Sequence, residues 1–215
     1  MPKRREVANM LALAVLSAVS TKPMHPYEMA SVLRSWGKDQ DMKIKWGSLY
    51  TVVQNLEKHG FVEATGSVRQ GGRPERTVYR ITDAGRAEML DWVRELIGTP
   101  YKEYPAFEAA LSVAGVLPPD DLIELLRERL EQLDAQIEER RELLAASAVE
   151  VPRIFLIESE YDIAIRAAEA DWVRSLLDEL TVGTLPGMDM WRAFHETGEL
   201  PPDIKAMAER GTPTD

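Results

Sequence analysis

Tyr50, Thr51, Gln54, Asn55 and Lys58 recur at intervals of one, three and four residues in "SLYTVVQNLEKHG". On a helix they fall on one side with Ser48, and Leu49, Val52, Val53 and Leu56 take the other. Gln and Asn amides match the donor and acceptor edge of adenine, and hydroxyls and Lys match phosphate or guanine. Downstream, "VRQGGRPER" gathers Arg69, Arg73 and Arg76 around Gly71, Gly72 and Pro74. Paired glycines keep such a tip slim, so its guanidinium groups can approach a phosphate backbone or a narrow minor groove. Lys43 and Lys45 place charge just before the helix, and Lys3, Arg4 and Arg5 form a basic arm. The chemistry these groups share is recognition of a polyanion.

Other chemistries lack their residues. The 215-residue chain has no cysteine, which excludes a disulfide frame, a thiolate zinc site and a cysteine nucleophile. His25, His59 and His195 have no metal-ligand spacing to one another, and no HExxH, P-loop or GxSxG motif occurs. No catalytic residue, metal site or cofactor is expected. The net charge of −10 conceals a split. Met1 to Ile97 holds 15 Lys+Arg against 11 Asp+Glu, a net of +4; the remainder holds 11 against 25, a net of −14. A basic first half suits an anionic partner, and the acidic second half belongs away from it.

The elements that must position these groups follow from periodicity and breakers. Val7 to Ser20 is a buried Ala-rich helix, and Pro26 opens a second ending at Gly37. A short strand is expected at Met42–Lys45. The third helix has Ser48 as N-cap and Gly60 as its stop. "FVEATGSV" and "TVYRIT" alternate as a β-hairpin, with Tyr79 and Ile81 sharing a face, and Thr82 or Asp83 caps a fourth helix ending near Gly98. This order is a winged helix-turn-helix.

After Gly98 the pattern is helical. A short helix covers Phe107 to Gly115, and a long one runs from Asp120 to about Ala148. Leu126, Leu130, Leu133, Ile137, Arg140 and Leu144 make a coiled-coil seam along it. Pro152 begins another helix with the stripe Ile157, Tyr161, Ile165, Ala168, Trp172 and Leu176. A lone antiparallel pair would leave part of these stripes exposed, so they are expected to form a homodimer. The fold class is mainly α (α+β): a winged-helix DNA-binding domain over 1–98, a helical dimerisation and effector domain over 99–180, and a weakly structured tail over 181–215.

"WGSLYTVVQNLEKHGFVE" with "GGRPERTVYRITDAGRAEM" resembles the PadR family of bacterial transcriptional regulators. "MLALAVLSAVSTKPMHPYEMASVL" is similar to that family's opening helices; Pro26 stands where many members carry Gly. The resemblance covers Asn9 to about Glu95 and implies a dimeric winged-helix repressor with a helical dimerisation region. It places Tyr50 and its neighbours, with Gly72, Arg73 and Pro74 in the wing, against double-stranded DNA at a palindromic operator. It further implies a small aromatic or hydrophobic effector. Trp92, Tyr101, Tyr104, Phe107, Phe155, Tyr161 and Trp172 are candidates to line its pocket between the winged domain and the long helices, and Arg140 and Arg166 to meet a carboxylate.

Two alternatives keep the fold and change the role: an activator with the same contacts, and a winged helix that binds a protein rather than DNA. The basic-apolar-small start also resembles a signal peptide, but "VANMLALAVLSAV" supplies the first helix that the following motifs need. No apolar run reaches the roughly 18–20 residues of a membrane span, and a cytoplasmic location is expected.

Overall fold

The structure, a computed structural model, describes residues 5–38, 42, 44–68, 76–199 and 205. The chain divides into two compact units, Met1–Lys102 and Glu103–Asp215.

The first unit is built around α1 (Met10–Thr21). The Asn9 side chain accepts the Leu11 N–H at 2.9 Å, which sets the start at Met10 instead of the expected Val7. Being small and apolar all round, α1 is buried from Leu11 to Leu16 and again at Ala18 and Val19. Helix α2 (Pro26–Ser35) lays Met29, Ala30 and Leu33 on it. The strand expected at Met42–Lys45 is absent among the described residues. Met42 N–H bonds to Lys38 O and Ile44 N–H to Met42 O, so local turns take the groups a ladder needs. A 3-10 turn at Trp46–Ser48 leads into α3 (Leu49–Lys58), which buries Leu49, Val52, Val53 and Leu56 as its spacing predicts. Ser48 stands at the N-cap position but makes no cap; its hydroxyl donates back to Lys45 O at 2.7 Å because the preceding turn offers that carbonyl first.

Strands β1 (Val62–Val68) and β2 (Arg76–Ile81) pair antiparallel, with Val62 opposite Ile81. The register slips between Ala64 and Gly66, and Gly66 takes φ +139, open to glycine and strained for other residues. Tyr79 and Ile81 pack on the core. Met24, before α2, bridges to Tyr79 through N–H···O bonds of 3.0 Å in both directions, tying the α1–α2 connection to the hairpin. Helix α4 (Asp83–Gly98) follows. The Thr82 hydroxyl accepts the Gly85 N–H at 3.0 Å and donates to Gly60 O at 2.6 Å. A Cβ at Gly85 would sit 1.9 Å from Phe61 O, so only glycine fits there.

The second unit comprises α5 (Ala106–Leu111), a 3-10 turn at Ala114–Val116, α6 (Pro119–Ser147), a 3-10 turn at Arg153–Phe155, α7 (Ile157–Val182) and α8 (Met188–Thr197). Helices α6 and α7 form an antiparallel hairpin with polar rungs. Arg140 pairs with Asp162 at 3.0 Å, Arg166 bonds to Gln136 at 2.7 Å and to Asp162 at 3.0 Å, and Arg129 pairs with Glu169. Ile123, Leu126, Leu133 and Ile137 of α6 are buried with Ala170, Val173, Leu177 and Leu180 of α7.

The tail expected to be weakly structured from residue 181 carries α8. It starts at Gly187 (φ +92) and ends at Gly198 (φ +72). Met188 is buried in the second unit's core, and Trp191 Nε1 donates to Leu117 O at 2.9 Å. Buried Met188, the packed Trp191 ring with its indole bond, and a His195 Nε2 contact to Gly115 O at 3.1 Å anchor a helix whose proline and glycine flanks read as loop.

Candidate nucleic-acid interface

Helix α3 is an aliphatic-in, polar-out element. Thr51, Gln54, Asn55 and Lys58 are exposed, Tyr50 is 57% exposed, and Lys45 is exposed just upstream. Ser48 is half-buried and bonded to Lys45 O, which leaves it part of the helix's entry. The face therefore presents amides, hydroxyls and an ammonium on a helix whose opposite side is pinned in the core. Base-edge and phosphate recognition asks for this arrangement. Lys43, Arg69, Gly72, Arg73 and Pro74 lie outside the described residues, as does the side chain of Arg76. The described hairpin is an antiparallel ladder. On its exposed surface Arg80 pairs with Glu63 at 2.7 Å.

Three contacts that spacing did not reveal position this face. His25 caps α2: its Nδ1 accepts the Tyr27 N–H at 3.1 Å and its own N–H donates to Glu28 Oε2 at 2.9 Å. The His25 ring meets Tyr50 edge-on, centroids 6.3 Å apart. The Arg34 guanidinium stacks 4.4 Å above the Trp46 ring, joining α2 to the start of α3. At the hairpin root, burial and the nearby Glu57 carboxylate push the Tyr79 phenol above its ordinary pKa, keeping it protonated. The Arg34–Trp46 stack joins separate elements, so the spacing within either helix carries no sign of it.

Arg5 departs from the basic arm expected of it. Its side chain is 3% exposed and lies among Glu88, Asp91 and Glu95 of α4, with its guanidinium 5.2 Å from the Trp92 ring centre. Three carboxylates on successive turns of one helix attract the nearest cation inward. Lys3 and Arg4 lie outside the described residues.

The effector candidates separate. In the first unit, Trp92 is buried in the core beside Arg5, and Tyr101 donates to Glu95 at 2.7 Å. In the second, Phe107 and Trp172 meet edge-on at 6.2 Å, and the guanidinium 3.7 Å above Phe107 belongs to Arg129. Arg140 and Arg166 share Asp162 instead. Tyr104, Phe155 and Tyr161 are exposed. A hollow of about 350 Å³ between Leu144, Ala148, Val151 and Leu156 at the hairpin's turn includes none of these candidates.

The dimerisation candidates divide by face. Leu126, Leu133 and Ile137 are buried within the unit, with Leu130 and Leu144 half-buried. On α7 the residues facing α6 are Ile163, Ala167, Ala170, Val173 and Leu177. The small alanines let the helices approach closely. Of the predicted stripe, Ile157, Tyr161, Ile165, Ala168 and Trp172 are exposed, Tyr161 at 68%, whereas Leu176 is half-buried against the second unit's core. Among the described residues no helix is long and apolar enough to cross a membrane.

Residues 15–91 match the family described as the transcriptional regulator PadR-like family. A probable transcriptional regulator of Mycobacterium tuberculosis is 43% identical over 47 residues, 22% of this chain and 24% of that protein, so the match spans about a quarter of that relative. An uncharacterized protein of Lysinibacillus sphaericus is 34% identical over 82 residues, 38% of this chain and 72% of that one. Among solved structures, Bacillus subtilis PadR in complex with operator DNA aligns with a TM-score of 0.67 at 17% identity, covering 80% of this chain and 99% of that one. The same protein in complex with p-coumaric acid aligns with a TM-score of 0.60 at 16% identity over the same shares. At these identities the likeness to the solved structures is one of fold.

Proposed function

The chain belongs to the PadR-like family of transcriptional regulators, and from that premise we propose that it is a repressor acting in the cytoplasm. It binds a palindromic operator as a homodimer and is released by a small aromatic or hydrophobic effector. The observation that carries this reading is α3. Its aliphatic side is wholly buried, and its other side offers Tyr50, Thr51, Gln54, Asn55 and Lys58 to solvent. On this reading Gln54 and Asn55 meet base edges, and Tyr50, Thr51 and Lys58 meet phosphates, with Lys43, Lys45 and Ser48 at the helix entry. Arg69, Gly72, Arg73, Pro74 and Arg76 form the wing contact. The first unit reads DNA; the second pairs the protomers and holds the effector.

Two copies supply what one cannot. A single helix reads few base pairs, and a symmetric pair reads two half-sites about one helical turn apart. The exposed Ile157–Tyr161–Ile165–Trp172 face of α7 supplies an apolar surface for that pairing. Operator DNA and p-coumaric acid are what Bacillus subtilis PadR holds in its two complexes, and they supply the classes of ligand proposed here. The test is an anisotropy titration of the full chain against the DNA upstream of its own gene, at two salt concentrations, with random DNA as control. Selective binding that weakens with salt is expected, followed by release on adding aromatic acids. Equal affinity for both DNAs would overturn the operator reading, and selective binding that no effector disturbs would remove the release step.

A further inference from the structure

Helix α2 touches the entry of α3 from both of its ends. At its start the His25 ring meets Tyr50, and in its last turn the Arg34 guanidinium lies over the Trp46 ring, 4.4 Å from the ring centre. The buried side of α2 is Met29, Ala30 and Leu33; Tyr27, Ser31 and Arg34, at i, i+4 and i+7, form an exposed row on the other. Among the described residues the Arg34 guanidinium has no hydrogen-bond or ion-pair partner, whereas Arg80 is paired with Glu63 and Arg5 with three carboxylates. The one carboxylate of α2, Glu28, stands six residues away and accepts the His25 N–H. A guanidinium lying over an indole has one face covered and its N–H groups free at the edge. The ring limits the rotamers of that fork before any anion arrives, so less ordering remains to be done on binding.

We propose that Arg34, held ready by Trp46, is a phosphate contact of the DNA interface that fixes the protein on the sugar-phosphate backbone at the entry of α3. The inference rests on the DNA-binding reading above. In a helix-turn-helix the second helix reads bases with its N-terminal residues while the first crosses the backbone. Trp46 stands one turn before Tyr50, so the guanidinium it carries lies beside the end of α3 that enters the groove. A planar fork with free N–H groups matches two oxygens of one phosphate. Such a contact carries no base preference. It strengthens binding to any duplex and sets the register from which Gln54 and Asn55 read.

The experiment compares the full-length wild type with Arg34→Gln and Arg34→Lys in anisotropy titrations on the DNA upstream of its own gene and on random DNA, across a series of salt concentrations, with urea unfolding of each protein alongside. Arg34→Gln should bind both DNAs about tenfold more weakly at low salt. The slope of log affinity against log salt should flatten by about two, one phosphate contact for each protomer of a dimer. Its urea midpoint should match that of wild type, because the side chain is exposed. Arg34→Lys keeps the charge and should keep the slope, with about threefold lower affinity because an ammonium lacks the fork. An Arg34→Gln slope equal to that of wild type on both DNAs overturns the proposal. So does a loss confined to the upstream DNA with the slope retained, which would make Arg34 a support for α3. A slope that falls as far in Arg34→Lys as in Arg34→Gln overturns it too, since charge would then not be what the DNA meets. A wild type that binds neither DNA at low salt would instead sink the DNA-binding reading, and this contact with it.

Discussion

Helices α3 and α7 both carry long rows of apolar residues, and they use them in opposite ways. In α3 each aliphatic side chain is buried inside its own unit, and what faces outward is Tyr50, Thr51, Gln54, Asn55, Glu57 and Lys58. In α7 one apolar row, rich in alanine, is spent against α6, and a second row of larger residues stays exposed on the other side. Helix α4 repeats this on a smaller scale, with Leu90, Val93 and Ile97 exposed. A helix finished within its own chain presents a surface for a charged, hydrated ligand, whereas one left with a bare aromatic and aliphatic row presents a surface for another apolar face. The division of labour proposed above is this difference in packing.

Breaking α7's outer row should have the largest effect. Tyr161→Glu combined with Ile165→Glu would bury charge in the pairing surface. It should convert the protein to monomers in sedimentation and weaken operator binding about a thousandfold, or about 4 kcal/mol. An unchanged dimer would make that row an ordinary solvated surface. Next comes a pair of substitutions that sharpens the contrast between buried and exposed residues. Leu33→Ala, in the fully buried core of the first unit, should cost about 3 kcal/mol in urea unfolding. Ile154→Ala, 65% exposed in the second, should stay within about 0.5 kcal/mol. Equal losses would contradict the burial pattern. The smallest effect tests α3's outer face: Gln54→Ala should cost about 2 kcal/mol on the operator and almost nothing on random DNA. A uniform loss would mean that Gln54 only orients the protein.

Sequence carried the first unit well because its determinants are local. The 3-4 spacing of Leu49, Val52, Val53 and Leu56, the Gly60 stop and the Thr82 cap all act within a turn or two of themselves. What it missed depended on competition or distance. Ser48 is a good cap by type, yet a nearer carbonyl took its hydroxyl. Arg5 looks like part of a basic arm until helix α4, more than eighty residues on, brings three carboxylates to it. On α7 two apolar faces coexist, and periodicity favoured the bulkier; packing against α6 took the one with alanines because close approach rewards small side chains. Helix α8 was signposted by Gly187 and Gly198, both in left-handed conformations at its ends, but its anchors, Met188 in the core and the contacts of Trp191 and His195 with the backbone at Gly115 and Leu117, lie far away in sequence. The α3 face was legible as a set of residue types; its fixing by His25 and Trp46 required the fold.

The rungs between α6 and α7 carry a further consequence. Arg129 with Glu169, Gln136 with Arg166, and Arg140 with Asp162 run along the hairpin, and each is partly solvated and individually weak. Their joint effect is on alignment: a slide of one helical turn, about 5.4 Å, would dislocate all three at once. The hairpin is thereby a strut and not a piston. A displacement applied at its turn near residues 148–156 would therefore be expected to move the two helices together.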